Sequence, residues 1–398
     1  MGVRRGSIET KAQDGRTARA AGRLHAFPRE LAAFLRSHGH LARGAGTAGT
    51  AFSLGISLLC LLAVLAFHFP EYLTTPLLRQ KYSVDVLRGL LLGCLLASGG
   101  LALANVVLDR HRNLNIAAFV VVLAAVSLGG ANVAVDDFPS DTPYIGLDWF
   151  ILDLLGSALV FVVLEKCFPL YPGQPVFRPD WQTDLAYFGL NHLLVGLVLL
   201  AVNFLVHHLF GWSAGTAWQR WVADIRFVPQ LLLCILLADL AQYAVHRAYH
   251  RVPWLWRFHA VHHSIETMDW LAGSRLHVLE QIGTRVAVLG ALYLAGFDKA
   301  VLDAYIIVVG FHAVLNHSNL RLPWGPLKHV VVTPEFHHWH HASDRQALDR
   351  NYAAHFSFLD RLFGTAVPRQ EGFPERYGVL GGGVPGGLIR QFLHPFKR

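Results

Sequence analysis

The densest chemistry in the chain lies in "HRAYHRVPWLWRFHAVHHS", which runs from His246 to Ser264. His246 and His250 stand four residues apart, and His259, His262 and His263 follow at i, i+3 and i+4. Such positions share one face of an α-helix, so each group can aim its imidazoles at one centre. Pro253 separates the two groups and lets two short helices converge. Further along, "TPEFHHWHHAS" repeats the second spacing in His337, His340 and His341, with Pro334 placed to begin a new helix. Between the clusters, "FHAVLNHSN" holds His312 and His317. Neutral imidazole is the commonest side-chain ligand of zinc, iron, copper and nickel. That many imidazoles beside a membrane would be costly to desolvate unless ligated or hydrogen-bonded. One zinc takes four ligands, so eight or nine histidines imply two metal ions. The count does not choose the metal.

A membrane is the expected setting. The 398 residues have a mean hydropathy of +0.38, with 53% hydrophobic and 15% charged residues, against about 25% charged in ordinary soluble domains. A helix needs about twenty apolar residues to cross a bilayer. Runs near 52–69, 86–108, 115–135, 147–166, 184–206 and 226–245 qualify, and 279–297 with 300–316 form a shorter pair that need not cross fully. The expected fold is all-α: a polytopic membrane helical bundle with a cytoplasmic helical cap that carries the histidine clusters. The net charge of +7 is concentrated in an Arg-rich stretch over 1–45, whereas 136–148 is acidic. Lys and Arg favour the cytoplasmic side, which places the first stretch and both histidine clusters inside. Nothing in the chain resembles a nucleic-acid recognition motif. No cleavable leader is expected, because the first apolar run begins only around residue 50. The four cysteines are far apart in sequence, mostly within apolar runs, and read as buried hydrophobes.

Five regions follow from these shifts of composition. Residues 1–45 are expected to form a basic, mobile tail, with one amphipathic stretch at "RELAAFLRSHGHLA", and 46–166 a four-span membrane unit. Residues 167–225 hold a proline-rich connector ("CFPLYPGQPVFRPDWQT"), the fifth span and an interfacial segment. Residues 226–368 carry the histidine chemistry, and 369–398 form a tail that includes "GVLGGGVPGG".

"HRAYH", "HAVHH" and "HHWHH" resemble the HxxxH, HxxHH and HxxHH motifs of the fatty acid hydroxylase and sterol desaturase superfamily. "NHSNLRL", "NYAAHFSFLDRLFGT" and the upstream "FRPDWQTDLAYFGLNH" are similar to that superfamily as well, and the strong likeness covers about 232–366. The resemblance implies an integral membrane oxygenase with two iron ions that activate O2. Carried over motif by motif, it implies His246, His250, His259, His262, His263, His317, His337, His340 and His341 as ligands. His338 stands where relatives often have Arg and is left out of the set. His312 lies five residues before His317, where relatives with a second ligand tend to space it four away, so a packing or supporting role is favoured over ligation. His277, in "SRLHVLE", resembles a family stretch that often reads RxHPxE, and since some relatives lack His there it is read as supporting the centre, not ligating it. Asp239, Glu280 and Asn316 are candidates to orient a ligand through a hydrogen bond, with an ordinary buried ion pair as the alternative for the two acids. Trp254, Trp256, Trp270 and Trp339 read as interface anchors and pocket walls.

The implied chemistry is attack on an unactivated C–H bond of a lipid, whether fatty acyl, sterol-like or ether-linked. Hydroxylation, desaturation and ether cleavage all remain open, since relatives with the same motifs perform each. The sequence holds no GxGxxG nucleotide fold, since the glycines of "GGGVPG" belong to the Gly-rich tail read as loop, no CxxC pair and no HPGG motif of a fused cytochrome b5. A separate electron donor is therefore implied: a ferredoxin, a cytochrome b5 or a reductase. The competing readings are a membrane metal transporter and a non-catalytic metal-binding membrane protein. A transporter would string its His or Asp residues along spans, whereas here they cluster after one. A composition rich in Ala, Gly, Leu and Arg and poor in Lys points to a bacterial inner membrane.

Overall fold

The computed structural model describes residues 47–74, 83–108, 111–134, 147–368 and 372–397. The basic tail over 1–45 and the acidic stretch as far as residue 146 lie outside the described residues. The chain divides into two compact units, one reaching Cys167 and including Tyr171–Phe177, the other formed by Phe168–Leu170 and Arg178–Arg398.

Among the described residues, the first unit has four long helices, α1 (Thr47–His68), α2 (Val84–Leu108), α3 (Arg112–Ser127) and α4 (Leu147–Cys167), and a single helical turn at Pro70–Leu73. Cys60, Val64, Leu91, Leu95, Val122 and Ala125 form its apolar core. Helices in an apolar solvent gain little from hydrophobic burial and rely on close packing and polar clasps. Both devices are present. Ser53 Oγ donates to Asn115 Oδ1 at 2.9 Å and Asn115 Nδ2 donates to Thr50 Oγ1 at 2.8 Å, joining α1 to α3. Gly55 lets α1 approach α4 so closely that a Cβ there would lie 2.6 Å from Leu159 Cδ1.

The second unit begins with α5 (Trp181–Leu193), α6 (Val195–Phe210) and the short α7 (Ala217–Ala223). Then come α8 (Phe227–Arg251), α9 (Pro253–His263), α10 (Val278–Ala295) and α11 (Lys299–His317). It closes with three short helices, α12 (Pro334–His340), α13 (Phe358–Leu362) and α14 (Leu388–Leu393). Cys234, Ile235 and Ala238 of α8 pack against Val288 and Leu292 of α10 and Val301 and Tyr305 of α11. Among the described residues there are no strands, only the isolated bridges Pro169–Leu320 and Ala342–Tyr377. The fold is all-α, as the sequence implies.

Among the described residues, six helices are long and apolar enough to cross a membrane: 49–68, 84–107, 112–132, 227–251, 278–295 and 299–317. The last two, at 18 and 19 residues, are each sufficient, so the shorter pair of the sequence is two potential spans. The run at 184–206 differs from expectation. It forms two helices, α5 and α6, bent by 54° at a short break. The cause is polar anchoring of α5. Asn191 Nδ2 donates to the carbonyls of Ser274 at 3.0 Å and Leu276 at 3.2 Å, and Asp184 is paired with Arg275. The apolar sequence resumes only after His192.

Candidate metal centre

Two prolines set the geometry of the histidines. Val252 precedes Pro253 and takes extended backbone, which ends α8 and starts α9 at once. His246 and His250 thus occupy the last turns of α8, facing His259, His262 and His263 at the end of α9. Pro334 opens α12, where Thr333 Oγ1 caps the helix by accepting from Phe336 N at 3.2 Å. His337 and His340 lie on α12, His341 caps it, and His317 ends α11.

These elements gather nine histidines into two groups. His246, His250, His259, His263 and His340 form one; His262, His317, His337 and His341 form the other. Within each group the candidate ligand atoms lie within 4.8 Å of one another. The expectation that each sequence cluster faces one centre gives way here. The i, i+4 pairs (His246 and His250, His259 and His263, His337 and His341) stay together, but His262 and His340 cross to the opposite group. On a helix, i+3 and i+4 fall on opposite sides of residue i, about 100° apart. Two centres lying side by side therefore split each triplet. The groups touch where His263 meets His341, with ring centroids 4.5 Å apart.

The outward nitrogens decide the tautomers. Nδ1 of His246 donates to the Tyr352 carbonyl at 2.7 Å, and Nδ1 of His340 to the Arg350 carbonyl at 2.8 Å. Nδ1 of His262 and His317 donate to the carbonyls of Arg275 at 3.1 Å and Ala313 at 2.8 Å. A carbonyl can only accept, so each of these rings carries its proton on Nδ1 and a bare lone pair on Nε2. Yet Nε2 of His262 lies 3.3 Å from Nε2 of His317. Two lone pairs at that distance repel, and a shared cation would turn the contact into coordination. Nε2 of His250 and of His340 are likewise buried with no hydrogen-bond partner. Carboxylates serve two more outer positions, with Glu280 Oε1 2.6 Å from His259 Nδ1 and Asp349 Oδ1 3.3 Å from His250 Nδ1, whereas Nδ1 of His337 and His341 are buried with no hydrogen-bond partner. Burial, reinforced by neighbouring imidazoles, holds His259, His262, His263, His337, His340 and His341 well below the usual histidine range. They are neutral at physiological pH, as a metal ligand must be. The donor set and its tautomers fit two metal ions.

Of the supporting candidates, Glu280 alone touches a histidine of either group. Asp239 accepts from three backbone amides, Ala354 at 2.8 Å, His355 at 3.1 Å and Phe356 at 2.6 Å. It thereby holds the segment whose Tyr352 carbonyl meets His246. Asn316 Nδ2 donates to the Ala354 carbonyl at 3.0 Å, in the same segment. His277 caps α10 through Nδ1, 3.2 Å from Leu279 N, and donates from Nε2 to the Phe392 carbonyl. His312 donates from Nε2 to the Val332 carbonyl at 2.8 Å and pairs with His355 at 2.9 Å, outside both groups. His338 is also outside them, its nitrogens engaged by Ser318 O and Tyr377 OH. What sequence reasoning missed is the segment Asp349–Tyr352, which supplies three of the outer acceptors. Its signal was the Asp and Asn at 349 and 351, both in the left-handed conformation with φ 56°, which these two residue types tolerate.

The fatty acid hydroxylase family model matches residues 231–365, which hold all nine histidines. The chain is 30% identical to the ornithine lipid hydroxylase OlsE of Rhizobium tropici over 284 residues, 69% of this chain and 82% of that protein. The chain belongs to the fatty acid hydroxylase family. Cholesterol 25-hydroxylase of Rattus norvegicus is 28% identical over 56% of this chain and 76% of its own length. Alkylglycerol monooxygenase of Caenorhabditis elegans is 25% identical over 37% of this chain and 29% of its own length. No solved structure matches. Membership of the fatty acid hydroxylase family makes the chain a membrane oxidoreductase of the monooxygenase type, and the two histidine groups are compatible with the di-iron site expected of it.

Proposed function

We propose that the nine histidines hold two iron ions and that the protein inserts one oxygen atom from O2 into a C–H bond of a membrane lipid, the other atom leaving as water with two electrons and two protons. The observation that carries this reading is the approach of His262 Nε2 to His317 Nε2 at 3.3 Å, with both Nδ1 protons committed to carbonyls. Such a contact is unfavourable without a cation. When bound, the iron pair supplies the redox capacity for oxygen activation that no side chain here offers. The chain's own part is to fix ligand geometry. Carbonyls of Arg275, Ala313, Arg350 and Tyr352 and the carboxylates of Glu280 and Asp349 lock the direction of six of the nine rings. Neutral imidazoles in a buried site keep lone pairs available and water out.

Hydroxylation is favoured over desaturation because the relatives above carry hydroxylase or monooxygenase names. One relative, 30% identical over 69% of this chain, acts by its name on an ornithine lipid, so an acyl-bearing polar lipid is the proposed substrate class. Two electrons per turnover come from a separate ferredoxin, cytochrome b5 or reductase. The histidine centre faces the cytoplasm of a bacterial inner membrane, following the arginine excess before the first helix. The test has two arms: metal content of the active purified protein, and lipid profiling of cells with and without the gene under 18O2. About two irons per chain and a lipid heavier by one 18O are expected. Fewer than two metals in active protein, or no labelled lipid, would overturn the proposal.

A further inference from the structure

Four charged residues with no solvent around them lie behind one of the two histidine groups. Arg178, Asp184, Asp269 and Arg275 are 1%, 0%, 4% and 1% exposed. Arg178 Nη2 donates to Asp184 Oδ2 at 2.5 Å and to Asp269 Oδ1 at 2.8 Å, and Arg275 Nε donates to Asp184 Oδ1 at 2.5 Å. Asp269 Oδ1 also accepts from the amides of Leu271 at 3.1 Å and Ala272 at 3.0 Å. Two positive and two negative charges cancel, but taking all four out of water is expensive. Apolar replacements of such clusters are often as stable, so stability does not explain them.

Their geometry does. The quartet pins the 264–277 loop to the connector ahead of α5, and that loop meets the four-histidine group twice. The Arg275 carbonyl takes the Nδ1 proton of His262 at 3.1 Å. Gly273 packs on the other partner, where a Cβ would lie 2.9 Å from His317 Nδ1. The five-histidine group draws its outer acceptors from elsewhere, at Glu280, Asp349, Arg350 and Tyr352. We propose that Arg178 and Asp184 are positioning residues for the four-histidine metal site alone, acting through Arg275 and the 264–277 loop. Both precede the stretch 231–365 that the family model matches. The inference rests on the two-metal reading above.

The test uses the full-length protein in lipid nanodiscs, stripped of metal and titrated anaerobically with Co(II). Bound metal is counted, and the visible absorption of the bound cobalt follows each site. Unsubstituted protein should take two ions. Asp184→Asn should weaken one of the two sites by about 10- to 100-fold, the usual effect of removing an outer partner, and leave the other unchanged. Arg178→Lys should give a smaller loss of the same site, because lysine offers one nitrogen where Arg178 uses two, Nη2 on both carboxylates and Nη1 on the Pro179 carbonyl. Gly273→Ala, which leaves the charges in place, should crowd His317 and weaken the same site. In a His317→Ala background, Asp184→Asn should have no effect on the remaining ion. If Asp184→Asn fails to accumulate as folded protein, Arg178→Lys carries the test in its place. Equal weakening of both sites, unchanged affinity in the folded quartet variant, or a further loss in the His317→Ala background would overturn the inference. Fewer than two ions in the unsubstituted protein would instead sink the two-metal reading, and this inference with it.

Discussion

Replacing Asp239 by Asn should cost far more than the single atom exchanged suggests. The carboxylate is fully buried in α8 and accepts three amide protons, at 2.8, 3.1 and 2.6 Å. An asparagine can turn its one oxygen toward His355 N and Phe356 N, but its NH2 then faces the Ala354 N–H, donor against donor. One charge-assisted bond is lost outright, worth about 1.5–3 kcal/mol, and an amide is left unsatisfied at about 1–3 kcal/mol. The two surviving bonds drop to neutral strength, roughly half their former value. Burying a neutral amide instead of a charge returns part of this, since the desolvation penalty of a carboxylate is several kcal/mol. The net expectation is a loss of about 2–4 kcal/mol. It should also reach the metal site, because the 352–356 segment carries the Tyr352 carbonyl that fixes His246. Reversible unfolding in mixed micelles measures the first effect and Co(II) titration the second. Asp239→Glu, which keeps the charge but overfills the site, should fall between. Stability within about 0.5 kcal/mol of the parent, the range of an inert surface change, would refute the assignment of Asp239 as the clasp of this segment.

Three further outcomes separate the site from its surroundings. His340→Ala should abolish activity and lower the metal content of the five-histidine group, whereas His338→Ala should retain two metals and lose only packing, because both His338 nitrogens are engaged away from the groups; equal metal loss in both variants would contradict this. Metal-free protein should lose stability as pH falls below about 6.5. Above that value histidines of the folded and unfolded chains are both neutral; below it the unfolded chain takes up protons that the buried rings, held well below 6.5, do not. The slope is about 1.4 kcal/mol per pH unit for each such histidine, so a melting temperature flat from pH 7 to 5 would exclude it. Reporter fusions after Pro175, Met268 and Arg398 should all read cytoplasm, and an external signal at Met268 would mean that the bent α5–α6 pair does not cross.

Much of the site was legible in the sequence because its signals are local. Apolar runs give helices, and i, i+4 spacing puts His246 with His250 and His259 with His263 whatever the rest of the chain does. The bend between α5 and α6 was not legible, since Asn191 finds its acceptors at Ser274 and Leu276, more than eighty residues away. The outer acceptors were hidden for a different reason. Most are backbone carbonyls, and every residue has one, so composition cannot mark Arg275 or Tyr352 for the task.

The sequence by itself determined the chemistry available: an all-helical membrane chain with eight imidazoles at ligand spacing and a ninth, His317, that the family resemblance implies. Only the tertiary structure decided how those nine divide, five against four, with His262 and His340 crossing between groups. Helical spacing says which side chains share a face, but two centres set side by side compete for that face. The choice belongs to the helices packed opposite, where His317 at the end of α11 claims His262, and His246 and His250 at the end of α8 claim His340.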